Sequence, residues 1–305
     1  MWLLLAFMSA LLLGFYDASK KVSLQDNAVI PVLLLNTVFC SLLFSVAIGL
    51  SATGIWGEGH WLHVNQAGAG WHGLVAMKAL LVLASWGMGY MGIKQLPLTI
   101  VGPINATRPV MVLVGAVVLF GERLNAWQWL GVVLAIMGFW MLSRSGSREG
   151  IRFGHNKWIA CIILSALLGA LSGLYDKWLL MPHDQGGAEL QPMFVQSWYN
   201  LYQMGFMLLV FFLARRLGKG SGQRFHWHWS ILAISLFLSA ADWLYFYALS
   251  MPDAMVSIVS MVRRGSVVVS FGLGAVLLRE KNLRSKAVDL LLVILSMICL
   301  WLGTK

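Results

Sequence analysis

The sequence predicts an all-α polytopic membrane protein, with ten transmembrane helices arranged as two inverted five-helix repeats. Of the 305 residues, 59% are apolar and only 11% are charged, whereas about a quarter of the residues of a soluble domain are charged. Apolar runs of about twenty residues, long enough to span a bilayer core, recur along the chain. The same order of motifs also occurs twice. These observations exclude an ordinary soluble fold and indicate a protein that lies in the lipid bilayer.

Ten apolar spans account for most of the chain, and the connections between them are short. The longest connections, 52–69, 144–155, 180–191 and 215–227, are too small to form a soluble domain. The chain is therefore expected to consist of membrane helices and little else. The predicted spans are 2–21, 27–51, 70–93, 97–120, 125–143, 156–179, 192–214, 228–250, 252–278 and 286–303.

An internal repeat divides the chain at about residue 150, into a first five-helix repeat, 1–150, and a second, 151–305. Because five spans per repeat is an odd number, equivalent helices must cross the bilayer in opposite directions, as in many secondary transporters. The matching motifs are Gly14 to Asp17 with Gly173 to Asp176, Asn36 with Asn200, and Tyr90 with Tyr245, each tyrosine seven residues before its matching proline.

The basic residues are distributed unevenly between the two sides of the predicted membrane. Fifteen of the 22 Lys and Arg residues fall in the connections that follow odd-numbered spans, and three fall on the opposite side. By the positive-inside rule, both termini should be outside and the linker 144–155 in the cytoplasm. The net charge of +10 is thus assigned to cytoplasmic loops of a cell (inner) membrane protein and not to nucleic-acid binding.

The two longest near-copies in the chain are the segments 97–122 and 252–280. Each begins with proline, carries arginine eleven residues later and ends at glutamate. Eleven helical residues rise roughly 16 Å, about half of a hydrocarbon core of about 30 Å. Arg108, Arg263 and Arg264 should therefore lie near the bilayer midplane. Because a guanidinium group stays charged there, it needs a partner, water or a ligand, and the segments predict an anion-binding site.

Proline and glycine positions add local expectations. Pro97 and Pro252 should open their helices, where a missing N–H group has little consequence. Pro109 lies in the middle of a span and should kink it. Gly169 and Gly173 have the spacing of small residues that bring two membrane helices close together.

The other polar residues within the spans leave alternatives open. The arginines form a clamp for an anion, or they pair permanently with Asp17, Asp176 or Asp242. Asp17 and Asp176 are counter-ions or proton carriers; Asp242 couples protons or pairs with Arg263 or Arg264. Lys78 either snorkels to the interface or adds positive charge to a cavity.

Uncharged residues give two further alternatives. Asn36 and Asn200 donate to the ligand or, as we favour, form hydrogen bonds between helices. Tyr90 and Tyr245 line the cavity or pack between helices. The full set of predicted substrate-binding residues is Arg108, Arg263, Arg264, Lys78, Tyr90, Tyr245, Asp242, Asp17, Asp176, Asn36 and Asn200.

The two five-helix repeats resemble the drug/metabolite transporter superfamily, specifically its ten-helix EamA-type branch. The residues that carry the resemblance are Arg108-Pro109 and Gly121-Glu122 in span 4 and Arg279-Glu280, which closes span 9. The resemblance covers essentially the whole chain and implies a transporter.

A narrower likeness is to the triose-phosphate translocator branch of that superfamily. There, a basic residue on the fourth helix and a basic pair on the ninth hold the substrate phosphate. Carried over by position, this implies Arg108, Arg263 and Arg264 as the clamp. This chain has arginine where those relatives in part have lysine.

The leading hypothesis is a secondary transporter or exchanger of a small anionic metabolite, phosphorylated or carboxylated, that works by alternating access. The alternatives are an exporter of amino acids or aromatic, drug-like compounds and, in another class, a lipid-handling or scaffold membrane protein. No motif indicates an enzyme, a cofactor or a metal site. The expected partners are an anionic small molecule and the lipid bilayer, with no nucleic acid, for a monomer or homodimer.

Overall fold

The computed structural model describes residues 1–24, 27–95, 104, 108–144, 157–216, 225–266, 268–269 and 283–303. Within these ranges the chain has ten α-helices and no β-strand, which confirms the predicted all-α class. The helices are α1 (Trp2–Leu24), α2 (Val29–Ala52), α3 (Ala69–Gln95), α4 (Arg108–Phe120), α5 (Ala126–Arg144), α6 (Lys157–Leu180), α7 (Pro192–Arg216), α8 (Ser230–Leu249), α9 (Val256–Arg264) and α10 (Leu283–Leu302).

Six stretches in the described helices are long and apolar enough to cross a bilayer by length and composition. Two shorter apolar stretches, in α4 and α5, add to them. Large apolar side chains such as Leu4, Val46 and Val118 are exposed on the helix bundle, where lipid would cover them. The protein is therefore a multi-pass membrane protein. The six stretches are Trp2–Lys20, Val29–Ala52, Ala69–Gly89, Lys157–Leu180, Pro192–Arg216 and Ser230–Leu249.

Helices of the first half pack mainly against helices of the second half. Helix α1 lies against α8, α2 against α7, α3 against α6, α4 against α9 and α5 against α10. If α1 corresponds to α6 and α3 to α8, exchanging the two repeats leaves this set of pairs unchanged. Such a pattern is the one that two related five-helix units produce. The boundary predicted near residue 150 lies outside the described residues and stays a prediction.

Hydroxyl groups join the two halves across the helix interfaces. Ser9 Oγ on α1 donates to the Ala241 carbonyl of α8 over 2.7 Å. Ser41 Oγ on α2 donates to the Asn200 carbonyl of α7 over 2.8 Å. Because lipid offers these hydroxyls no hydrogen-bond partner, the backbone of the facing helix provides it.

One expectation about proline meets a different local structure. Helix α9 begins at Val256 and not at Pro252, which lies in a turn where the Ala254 N–H group donates to the Met251 carbonyl. Pro109 belongs to α4, which the structure describes from Arg108 onward. Pro97 and residues 105–107 lie outside the described residues, as does the predicted kink of the span.

Candidate functional site

A buried ion pair joins the two halves near the centre of the bundle. Lys78 on α3 contacts the carboxylate of Asp176 on α6, and these side chains are only 4% and 5% exposed. Lys78 Nζ also lies 3.5 Å from Ser172 Oγ and 4.8 Å from the centroid of the Tyr199 ring. The alternative in which Lys78 snorkels to the interface is therefore wrong, and a role in the substrate site stays a prediction. The side chain does not reach the interface, and its charge is neutralised by Asp176.

Tyr245 connects this pair to a second one. Its hydroxyl donates to Asp176 Oδ2 over 3.1 Å, and its ring lies 4.0 Å from Arg263 Cζ. Arg263 Nη2 in turn donates to Asp242 Oδ1 over 2.6 Å, with side chains 17% and 18% exposed. Of the alternatives for Asp242, the geometry shows pairing with Arg263. An aromatic ring thus separates a buried ion pair from a partly exposed one.

Arg108 has a different environment, between α3 and α6. Its Nη2 donates to the Ser165 carbonyl over 3.0 Å and lies 3.5 Å from Ser85 Oγ, while its buried Nε has no hydrogen-bond partner. A Cβ atom on Gly169 would lie 2.2 Å from Arg108 Cζ. Gly169, expected only to bring helices together, therefore leaves the space that the guanidinium group fills. Among the described residues, no carboxylate forms an ion pair with Arg108.

Arg264 lies near charges from both halves. It is close enough to Asp17 on α1 to be attracted and close enough to Arg108 to be repelled. No hydrogen bond or ion pair within 4 Å joins Arg264 to another residue in the described part of the chain. Arg264 of the second half therefore acts electrostatically on Arg108 of the first.

The central cations outnumber the central carboxylates by one. The helices hold four central cations and three carboxylates. Two cations have direct carboxylate partners, and Arg264 has Asp17 nearby. Arg108 is the cation that remains, since its described partners are a carbonyl and a hydroxyl group. The positive excess expected from the sequence is thus localised at one side chain.

Three predicted site residues remain to be placed, Asn36, Asn200 and Tyr90. Asn36 is buried, and its Oδ1 accepts a hydrogen bond from Ser235 Oγ on α8 over 3.0 Å. Asn200 Nδ2 donates to the Gln196 carbonyl of its own helix over 2.7 Å. Tyr90 belongs to α3, but its side chain lies outside the described residues. A ligand role for these three residues stays a prediction.

An aromatic cluster lies beside the Asp242 segment of α8. The Trp243 ring stacks on Tyr247, with centroids 5.9 Å apart. Trp61, from the connection after α2, meets Trp243 edge-on at 5.4 Å. Trp243 Nε1 is buried without a hydrogen-bond partner. This cluster offers flat apolar surfaces and one free donor close to the charged residues in sequence.

Several residues at the site were missed by sequence reasoning. Ser85 and Ser165 bind Arg108, but serine is common in membrane helices and nothing marked these two. Glu122 accepts hydrogen bonds from the first turn of α9, at 2.6 Å from the Val256 nitrogen. A signal for Glu122 was present, because both copies of the repeated segment end at glutamate. Lys177, which the sequence places within the span 156–179 and on the less basic side of the membrane, is buried in the last turn of α6.

The comparisons with known proteins agree with this architecture. Residues 1–144 match the EamA-like transporter family. A solved structure titled only "Crystal structure of protein" has a TM-score of 0.71 at 15% identity, covering 99% of this chain and 96% of that chain. At that identity the likeness shows the fold alone. No curated protein matches the chain. The first half of the chain is thus similar to the EamA-like transporter family, and the whole chain shares its fold with that solved structure.

Proposed function

We propose that the protein moves a small anionic metabolite, bearing a phosphate or carboxylate group, across the cell membrane as a secondary transporter or exchanger. The observation that carries this proposal is the environment of Arg108. Its guanidinium lies between helices with neutral oxygen partners, an unpartnered Nε and no carboxylate among the described residues. A permanent charge in such a place is costly unless a counter-ion binds it, and a substrate anion provides one.

The neighbourhood of Arg108 favours an anion further. The positive charge of Arg264 repels that of Arg108. An anion bound between them would offset this repulsion and be attracted by both groups. The planar guanidinium fork matches the paired oxygens of phosphate and carboxylate, with hydrogen bonds shorter and stronger than neutral ones. Both ligand classes have this chemistry, and competition between them identifies the better one.

The position of these groups suits alternating access. Arg108 belongs to the first half and bonds Ser165 of the second half, while Arg264 of the second half attracts Asp17 of the first. A ligand bound there is held by both halves, and rocking one against the other exposes it to each side in turn. The match of residues 1–144 to the EamA-like transporter family favours transport of this kind over a lipid-handling or scaffold role.

The test is uptake of radiolabelled phosphate esters and organic acids into proteoliposomes loaded with unlabelled substrate. Arg108→Ala and Arg264→Ala should each reduce uptake at least about 100-fold, because each removes a charge-assisted contact of the anion. The matched control is Arg215→Ala, which removes the same charge from the exposed end of α7. Full uptake by the Arg108 variant, with correctly folded protein, would remove that residue from the site and this proposal with it.

The Trp61, Trp243 and Tyr247 cluster favours a second candidate within the same family. An aromatic amino acid or drug-like compound would place its ring on this cluster and its carboxylate on an arginine. Excess inorganic phosphate separates the two candidates. It should inhibit transport of a phosphorylated metabolite and leave export of an aromatic compound unchanged.

A further inference from the structure

Helix α9 begins without a cap from its own segment. Met255 at the N-cap position has an apolar side chain and makes no capping hydrogen bond. The first N–H groups of a helix need acceptors, and in α9 these come from the other half of the protein. Glu122 accepts from the Val256 N–H at 2.6 Å, from the Ser257 N–H at 3.4 Å and from the Ser257 hydroxyl. One carboxylate of the first half thus holds the start of a second-half helix.

The backbone presents Glu122 in a defined position. Gly121, directly after α4, has a left-handed φ of +63°, which residues with a Cβ atom rarely adopt. The Glu122 N–H group then donates back to the Ala116 carbonyl over 3.4 Å, as in a glycine-terminated helix end. The backbone conformation at Gly121 and Glu122 therefore helps to fix the position of the carboxylate next to α9.

A second charged group lies nearby without a hydrogen bond of its own. Lys177, in the last turn of α6, is only 4% exposed, and its Nζ is buried with no hydrogen-bond partner. It is attracted electrostatically by Glu122 and by Asp253. A buried ammonium group without a hydrogen-bond acceptor is unfavourable, so its place beside Glu122 calls for an explanation.

We propose that Glu122 is a gate residue whose carboxylate alternates between two partners, the start of α9 when this end of the protein is closed and the Lys177 ammonium when it is open. Opening would separate α4 from α9 and leave the carboxylate without its three donors. Lys177 then replaces them, so neither charge is left alone in either state. The exchange keeps the two states close in free energy, which a transport cycle requires.

The surroundings of Glu122 support this exchange. Burial raises the pKa of the Glu122 carboxyl above its ordinary value, although the bonds from α9 and the charge of Lys177 act against that rise. The ionised carboxylate is therefore held in the closed position against a desolvation penalty, which contact with water or with Lys177 relieves. The inference rests on transport by alternating access and not on the charge of the substrate.

The test measures opening without any substrate. Cys40, Cys161 and Cys299 are replaced by serine, and Ala254→Cys places one thiol in the buried turn before α9. The protein, in lipid nanodiscs, is labelled with a water-soluble maleimide.

Glu122→Ala should speed labelling about tenfold, since a lost cap frees the start of α9. Glu122→Gln keeps an acceptor oxygen for the start of α9 but lacks the charge that pairs with Lys177, so its labelling should not be faster than that of the parent. Unchanged labelling in the alanine variant would overturn the proposal.

A Lys177 variant separates a gate from a merely structural contact. Lys177→Met keeps an unbranched side chain of nearly the same length and removes the charge that pairs with Glu122 in the open state. Labelling should therefore slow about tenfold. A structural role predicts the opposite, because any loosening of this region speeds labelling. Faster or unchanged labelling in Lys177→Met contradicts the gate.

Thermal unfolding of each variant shows whether faster labelling comes from unfolding. Ser257→Ala, which removes one donor and keeps Glu122, is a milder second variant that should speed labelling about threefold. Because no substrate is present, these results hold whether or not Arg108 binds an anion.

Discussion

Arg108 and Arg263 occupy matching positions in the two halves, eleven residues after the matching prolines, yet their environments differ. Arg263 donates to the carboxylate of Asp242 over 2.6 Å. Arg108 donates to a backbone carbonyl and approaches a serine hydroxyl. Ten residues before each proline, the second half has Asp242 and the first has Gly87. The first half lacks the carboxylate that Arg263 has, and for this reason we propose Arg108 as the residue that binds the ligand's charge.

The matching aspartates differ in a complementary way. Asp176 pairs with Lys78 of α3, whereas at the position of α8 that corresponds to Lys78 the chain has Ala233. Asp17 therefore has no lysine partner on α8, and it is attracted by Lys20 of its own helix and by Arg264. A common fold thus carries different charge pairs in its two halves. Among the described residues, Arg108 therefore lacks the carboxylate partner that Arg263 has.

The largest expected effect concerns the two aspartates. Asp176→Asn leaves the Lys78 ammonium buried without its carboxylate and should lower the free energy of unfolding by about 3–5 kcal/mol. Asp17→Asn is the matched control and should lower it by less, because no direct ion pair within 4 Å involves Asp17 in the described part of the chain. Thermal and denaturant unfolding of the purified protein in one detergent compares them. Equal losses would show that the two aspartates are equivalent after all.

An intermediate effect is expected at the paired glycines of α6. Gly169→Ala places a methyl group 2.2 Å from Arg108 Cζ, so the guanidinium must move, at a stability cost of about 1–3 kcal/mol. Gly173→Ala is the control, since its nearest neighbour would be the Tyr245 hydroxyl at 3.8 Å, an ordinary contact. Uptake and unfolding should both fall for the first variant and change little for the second. Similar behaviour of the two would contradict the position of Arg108.

The smallest effect supplies the carboxylate that the first half lacks. Ser85 Oγ lies 3.5 Å from Arg108 Nη2, so Ser85→Asp puts a negative charge against the guanidinium group. Anion affinity should fall at least tenfold, about 1.4 kcal/mol, because the substrate then competes with a resident carboxylate. Ser85→Asn has nearly the same shape without the charge and is the control. Ligand-induced thermal shifts measure the affinity, and equal shifts for both variants would argue against an anion at Arg108.

Sequence reasoning reached the architecture because apolar runs and repeated motifs are local signals. Helix positions follow from run length, and the repeat follows from motif order, so neither needs knowledge of distant contacts. The same reasoning did not predict the burial of Lys78 and Lys177, which depends on the helices that pack against α3 and α6. It also assigned Gly169 to helix packing, because nothing in the chain shows that a guanidinium group from α4 fills that space.

The sequence by itself determined that this is a helical membrane protein, and it predicts two related halves with one central cation more than the central carboxylates, because composition and spacing are properties of the chain alone. Only the tertiary structure decided which cation stays unpaired and which glutamate caps a helix of the other half. Ion pairs within a membrane form between side chains far apart in sequence, and their partners follow from the packing of the helices.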